Sequence, residues 1–215
     1  MPTLASESGH RYRFRMNPAN TDWEKRYQTG DTPWDTGLPC AELVKVLDEY
    51  AIPPGRVCEF GCGTGTDSVY LASRGFDVTG IDFSATALAA AEERRAAAGV
   101  KVRFMQANVL QLPDLGAPFP FMYDRGCFHV VRQIDEAGIV AAYQRLLAPG
   151  GRLLIFAGNA KEQCPADQGP PRVSEDEMRR AFAGFTIEHL REFRLETQPG
   201  RNFFPLAWSM LVKKA

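Results

Sequence analysis

The sequence has no run of 18 apolar residues, the least a membrane-spanning helix needs, and its opening MPTLASESGHRYRFR lacks the apolar stretch of a secretory signal. A cytoplasmic protein without membrane partners is the expectation. An excess of either charge is also missing. With 25 Lys and Arg against 26 Asp and Glu, the net charge of −1 provides no field that would draw in nucleic acid. The basic-aromatic run Arg11, Tyr12, Arg13, Phe14, Arg15 has no wider basic patch around it and reads as a tail. The five cysteines (Cys40, Cys58, Cys62, Cys127, Cys164) are odd in number and form no C-x-x-C, and only three histidines are present to join them. That excludes a disulfide framework and speaks against a metal site, so reduced, mostly buried thiols and no metal are expected. Internal repeats and low-complexity tracts are absent.

What is present is the length and periodicity of one soluble domain spanning residues 1–215, enough chain to bury roughly 70% of its extended surface without a staple. Composition divides it into an N-terminal cap and substrate segment (1–50), a cofactor-binding core (53–159), and a lid loop, helix and terminal hairpin (160–215). The cap is rich in Trp, Tyr, Pro and Gly, with a helical stripe of Leu43, Val46, Leu47 and Tyr50 over 41–50. The core alternates strands at Arg56–Phe60, Asp77–Asp82, 101–106, 121–124 and 152–157 with helices at 66–74, 84–98 and 135–147, the pattern of a parallel doubly wound sheet. Ser84 and Gly99 bracket the second helix, and Pro149, Gly150 and Gly151 turn the chain into the fifth strand. Ser174 and Glu177 spell a capping box opening a helix to about residue 183. The β-rich runs 185–195 and 207–213 then suit an antiparallel pair on one sheet edge.

The sharpest local feature runs Val57, Cys58, Glu59, Phe60, Gly61, Cys62, Gly63, Thr64, Gly65: a strand ending in an acid, then three alternate glycines leading into a helix. Glycines let a ligand approach where a Cβ would collide, and the carboxyl end of a parallel strand is where open α/β sheets bind ligands. The spacing is G-x-G-x-G, not the dinucleotide G-x-G-x-x-G, and Glu59 would repel a pyrophosphate yet accept hydrogen bonds from an ammonium group. A nucleoside carrying an amino acid fits this loop better than a nicotinamide dinucleotide. Asp82, closing the second strand, is placed to bind ribose hydroxyls, and Phe83 to lie on an adenine face. Asn108 and Val109, after the third strand, are candidates for the adenine edge, with a plain turn as the alternative.

Together, Glu59-x-Gly61-x-Gly63-x-Gly65, Gly80-Ile81-Asp82-Phe83-Ser84, Asn108-Val109 and Leu146-x-x-Pro149-Gly150-Gly151 resemble class I S-adenosylmethionine-dependent methyltransferases over residues 56–157. The resemblance implies a Rossmann-like seven-stranded sheet with an antiparallel last strand, S-adenosyl-L-methionine as cofactor, and cofactor contacts from Glu59, Gly61, Cys62, Gly63, Gly65, Asp82, Phe83, Asn108, Val109 and Asp124. Asn108 departs from the acid often found at its position. Asp124-Arg125-Gly126, with Trp23-Glu24-Lys25-Arg26-Tyr27 and Gly30-Asp31-Thr32-Pro33-Trp34-Asp35-x-Gly37, resembles thiol and thiopurine S-methyltransferases. That likeness implies that Trp23 and Trp34 cover the cofactor and that Arg125 faces the acceptor.

The resemblance implies methyl transfer to a small molecule, most naturally a thiol; the physics permits it, since a thiol of depressed pKa arrives partly ionised and Arg125 would favour its thiolate. An oxygen or nitrogen acceptor would need a proton removed, for which His129 or Asp124 is the candidate base. Arg125 has a structural alternative as an ion-pair partner of Asp124 or Glu59, and His129 as a cap or packing residue. Aromatics of the cap and the run Arg201, Asn202, Phe203, Phe204 suit a small-molecule site. A cofactor-binding protein without chemistry is the rival from another class. A monomer is expected, with dimerisation left open.

Overall fold

The computed structural model describes residues 22–165, 169–200 and 202–215; the run 11–15 and Arg201 lie outside them. Helices α1 (Trp23–Thr29) and α2 (Ala41–Glu49) precede an alternation of β1 (Arg56–Phe60), α3 (Thr66–Ser73), β2 (Asp77–Asp82), α4 (Ala85–Ala98), β3 (Val102–Gln106), β4 (Phe119–Arg125), α5 (Cys127–Leu146) and β5 (Leu147–Asn159). Then follow β6 (Arg172–Val173), α6 (Glu175–Ala181), β7 (Thr186–Arg194) and β8 (Leu206–Lys213). The sheet order is β3-β2-β1-β4-β5-β8-β7. Strands β1 to β5 are parallel, β8 is antiparallel to both β5 and β7, and the two-residue β6 pairs with β5 as an eighth strand. The seven-stranded expectation describes the main path; β6, at the end of the polar stretch 161–172, is the addition.

Strand order reverses between β1 and β4, so the crevice beyond their carboxyl ends is the ligand-binding position of such a sheet. One face packs Phe128, Ile139 and Tyr143 of α5 and Met178 of α6 against the sheet. The other packs Leu43, Val46 and Leu47 of α2 with Leu71 of α3. The expected caps are formed: Ser84 Oγ accepts from Ala87 N–H at 3.0 Å, and Ser174 and Glu177 exchange both hydrogen bonds of the capping box.

Two helical segments were not expected. Helix α1 buries no side chain, so it carries no apolar stripe to read; Asp22 caps its start by accepting from Lys25 N–H at 3.1 Å, and Gly30 ends it. Helix α5 starts at Cys127, eight residues ahead of the expected 135. Asp135 is non-helical (φ −154°, ψ 87°) and caps the second half through Gly138 N–H at 2.8 Å, so the apolar pattern marked only that half. Strands β4 and β5 extend beyond the expected 121–124 and 152–157 at both ends.

Candidate active site

A cavity of about 1110 Å3 opens beyond the carboxyl ends of β1, β2 and β4. Ligand pockets run from roughly 300 to 1,000 Å3, so this one has room for a cofactor and a small acceptor together. Its floor is the glycine loop. Gly61, Gly63 and Gly65 all have positive φ, and a Cβ at Gly63 would stand 2.7 Å from the Tyr27 hydroxyl, so only glycine lets α1 close over the loop. At Gly65 a Cβ would meet the Phe104 ring at 2.7 Å. Gly65 serves packing and stands off the cavity wall, whereas Gly61, Cys62 and Gly63 line it.

Glu59 lines the cavity with only 3% of its surface exposed and accepts a hydrogen bond from Ser68 Oγ. Burial, reinforced by the charge of Asp67, holds its carboxyl well above the usual range. Asp82 accepts from Gly63 N–H at 2.8 Å and Ser84 N–H at 2.9 Å, which fixes its carboxylate on the wall. Phe83, Asn108 and Val109 line the same region. Asn108 Oδ1 accepts from Leu110 N–H at 3.1 Å, while its Nδ2 is buried with no partner among the described residues. A sealed amide donor of this kind is costly unless a ligand takes it up.

Above the floor, the Trp23 and Trp34 rings meet edge-on with centroids 5.2 Å apart, and Tyr27 packs on Trp34 at 6.0 Å. The Arg26 guanidinium lies 4.4 Å from the Trp34 centroid. Glu24 ties this roof down, its carboxylate accepting from Ser84 Oγ at 2.6 Å and from Thr86 Oγ1 at the start of α4.

Beyond β4 lie Arg125 and His129, both on the cavity wall. Arg125 pairs with neither Asp124 nor Glu59; its Nε sits 3.1 Å from Asp67 Oδ2. Asp67 also accepts from Cys40 N–H at 2.9 Å and Tyr123 Oη at 3.0 Å. Asp67 was not expected, since an acid in a helix's first turn reads as an ordinary dipole partner. Asp124 does not reach the cavity: it caps α5, accepting from Cys127 N–H at 2.9 Å, Phe128 N–H at 3.1 Å and Tyr143 Oη at 2.6 Å. His129 Nδ1 accepts from Gly158 N–H at 3.1 Å, and burial pushes the imidazole down to about 3.

Residues 57–151 match the family described as Methyltransferase domain. A probable thiol methyltransferase 2 of Arabidopsis thaliana is 35% identical over 195 residues, covering 89% of this chain and 85% of that protein. The chain belongs to the S-adenosylmethionine-dependent methyltransferases. This methyltransferase is also 28% identical to a 2-heptyl-1-hydroxyquinolin-4(1H)-one methyltransferase of Mycobacteroides abscessus, over 76% of this chain and 72% of that one. Among solved structures it is similar to one described as conversion of a disulfide bond into a thioacetal group during echinomycin biosynthesis (TM-score 0.74, 27% identity, 85% of each chain). S-adenosylmethionine is its cofactor. The cavity suits that group chemically: its wall offers a buried carboxyl, the fixed carboxylate of Asp82 and a sealed Asn108 Nδ2 with no partner among the described residues. Among the described residues no helix is long and apolar enough to cross a membrane, and no cluster of His, Cys, Asp and Glu could hold a metal.

Proposed function

We propose that this enzyme methylates the sulfur of a small, readily ionised thiol. Glu59 with the glycine loop seats the aminoacyl end of the cofactor, Asp82 its ribose, and Asn108, Phe83 and Val109 its adenine. Trp23 and Trp34 roof the site and exclude water. When bound, the cofactor supplies an electrophilic methyl group on a sulfonium centre. The bond formed is acceptor S–CH3 and the bond broken is methyl to sulfonium sulfur, so a thiolate's charge and the sulfonium's cancel and no proton moves. Alignment can then supply much of the acceleration.

One observation carries the choice of acceptor: Arg125, Asp124, Glu196 and His129, the charged and imidazole groups around the end of β4, already have partners, and burial pushes the Cys127 thiol up, away from ionisation. Arg125 is held by Asp67, Asp124 caps α5, Glu196 accepts from Ala41 N–H at 3.2 Å, and His129 has spent its Nδ1 lone pair on Gly158. A wall whose imidazole and nearest carboxylates are already engaged suits a nucleophile that arrives ionised. The Arg125 guanidinium, oriented by Asp67, favours that anion by its charge. The likeness to a thiol methyltransferase points the same way. An acidic hydroxyl on an aromatic ring meets the same requirement and is the second reading, supported by the likeness to a hydroxyquinolone methyltransferase. A cytoplasmic place of work suits five cysteines that form no disulfide among the described residues. The test is transfer of labelled methyl groups to a panel of thiols, phenols and amines. Thiols are expected to be the best acceptors; transfer to oxygen or nitrogen alone rejects the assignment, and cofactor binding without any transfer makes the protein a sensor.

A further inference from the structure

Which proton His129 carries follows from geometry. The backbone N–H of Gly158 points at Nδ1 from 3.1 Å, and a backbone N–H can only donate. Nδ1 therefore presents its lone pair, and the neutral ring holds its proton on Nε2. Protonating Nδ1 would set two N–H groups against each other in a site that is 5% exposed. The sealed, unpartnered side-chain nitrogens of the described residues belong to Asn108, Asn159 and Arg191. The Nε2 of His129, which has no hydrogen-bond partner among the described residues either, opens on the cavity. It does so past Gly126, where a Cβ would crowd the ring edge at 3.3–3.4 Å.

Resting on the proposed thiol reading, we infer that His129, locked by Gly158, is a hydrogen-bond donor that holds the accepting atom through Nε2–H and cannot serve as its base. A donor fixed in the wall rewards an atom that only accepts. A thiolate presents spare lone pairs to Nε2–H while another attacks the methyl carbon. A neutral amine has one lone pair, needed for attack, and would turn an N–H toward Nε2–H. A neutral alcohol can accept the bond, yet its own proton has no recipient. The imidazole thus acts as a filter for acceptors already ionised in solution, with Arg125, on the wall of the same cavity, supplying the charge.

The test uses the full-length enzyme and aryl thiols of graded pKa. At saturating S-adenosylmethionine, which removes the pH dependence of cofactor binding at Glu59, the pH limb of kcat/KM for the thiol is expected to follow the pKa of each thiol, with no limb common to all acceptors between about pH 5 and 8, where an enzyme base would show itself. His129→Leu should lose about 10- to 150-fold in kcat/KM on thiols, the range for a hydrogen bond to a charged group. Calorimetric affinity for S-adenosylhomocysteine should stay within twofold. His129→Gln, whose amide can accept from Gly158 and donate to the cavity, should recover most of the loss. A limb fixed at one pH for every thiol and abolished in His129→Leu would make His129 a base and overturn the inference, as would unaltered kcat/KM in His129→Leu while thiols remain the substrates. Transfer confined to oxygen or nitrogen in the unaltered enzyme would instead bring down the thiol reading, and the inference with it. If His129→Leu does not fold, the unaltered enzyme's pH limbs and the His129→Gln rate still decide.

Discussion

Replacing Glu59 by glutamine probes the cofactor end with almost no change of shape. This carboxyl is nearly inaccessible, has Ser68 Oγ as its donor, and lies near Asp67, which pairs with Arg125. Burial first, and Asp67 second, push its pKa upward. An arriving ammonium stabilises the ionised form and draws that pKa down, so binding releases a proton wherever the empty site is protonated. The sign is fixed: affinity for S-adenosylhomocysteine should fall as pH drops below the raised pKa of Glu59, by about tenfold per unit at the limit, instead of holding down to the ordinary glutamate range. Glu59→Gln removes a charge-assisted bond worth about 1.5–3 kcal/mol, or roughly 10- to 150-fold in Kd. It should also abolish the proton release, read as the dependence of calorimetric enthalpy on buffer ionisation. A carboxyl whose folded pKa lies above its unfolded value costs stability once pH exceeds the unfolded value, so the empty Glu59→Gln protein should melt higher while binding more weakly. That opposition separates lost charge from damaged structure. Affinity within twofold of the unaltered protein, with the same buffer dependence, would refute the assignment of Glu59 to the aminoacyl end.

The roof should respond to Glu24→Ala: it removes the bonds to Ser84 and Thr86 that dock α1, a helix with no buried side chain to hold it otherwise. Each bond to a charged group is worth about 1.5 kcal/mol or more, so cofactor release should speed up at least tenfold, followed by the fluorescence of Trp23 and Trp34; an unchanged release rate refutes the docking role. Asp124→Ala leaves Cys127 N–H, Phe128 N–H and Tyr143 Oη without their acceptor. A loss of about 2 kcal/mol or more, about 4–8 °C in Tm for a chain of this size, is expected; lost turnover at unchanged Tm would return Asp124 to the chemistry. Asn108→Ala deletes the sealed donor that the cavity wall holds without a partner among the described residues and, on the proposed adenine role, should weaken S-adenosylhomocysteine binding by about 3- to 10-fold, the net worth of a neutral hydrogen bond, with little change in Tm. An unaltered Kd would remove it from the adenine site.

The glycine loop and the strand ends that frame the proposed cofactor end were legible in the sequence because their determinants are local. Alternating strand and helix patterns locate the carboxyl ends of β1, β2 and β3, and the glycines mark the bend between Glu59 and α3 by their sterics alone. The acceptor end is built from partners far apart in the chain, which residue type does not reveal. Arg125 looked available to meet a thiolate, but its orientation is set by Asp67, 58 positions away and itself anchored by Cys40 and Tyr123. Asp124 looked like a base on the cavity; the chain turns back at Gly126 and spends that carboxylate on the start of α5. His129 carries the usual credentials of a proton acceptor, yet a backbone N–H on β5, 29 residues onward, decides which nitrogen holds the proton. A single amide of the sheet thereby turns the residue best suited by type to remove a proton into one that can only offer a hydrogen bond, and the burden of ionisation passes to the acceptor.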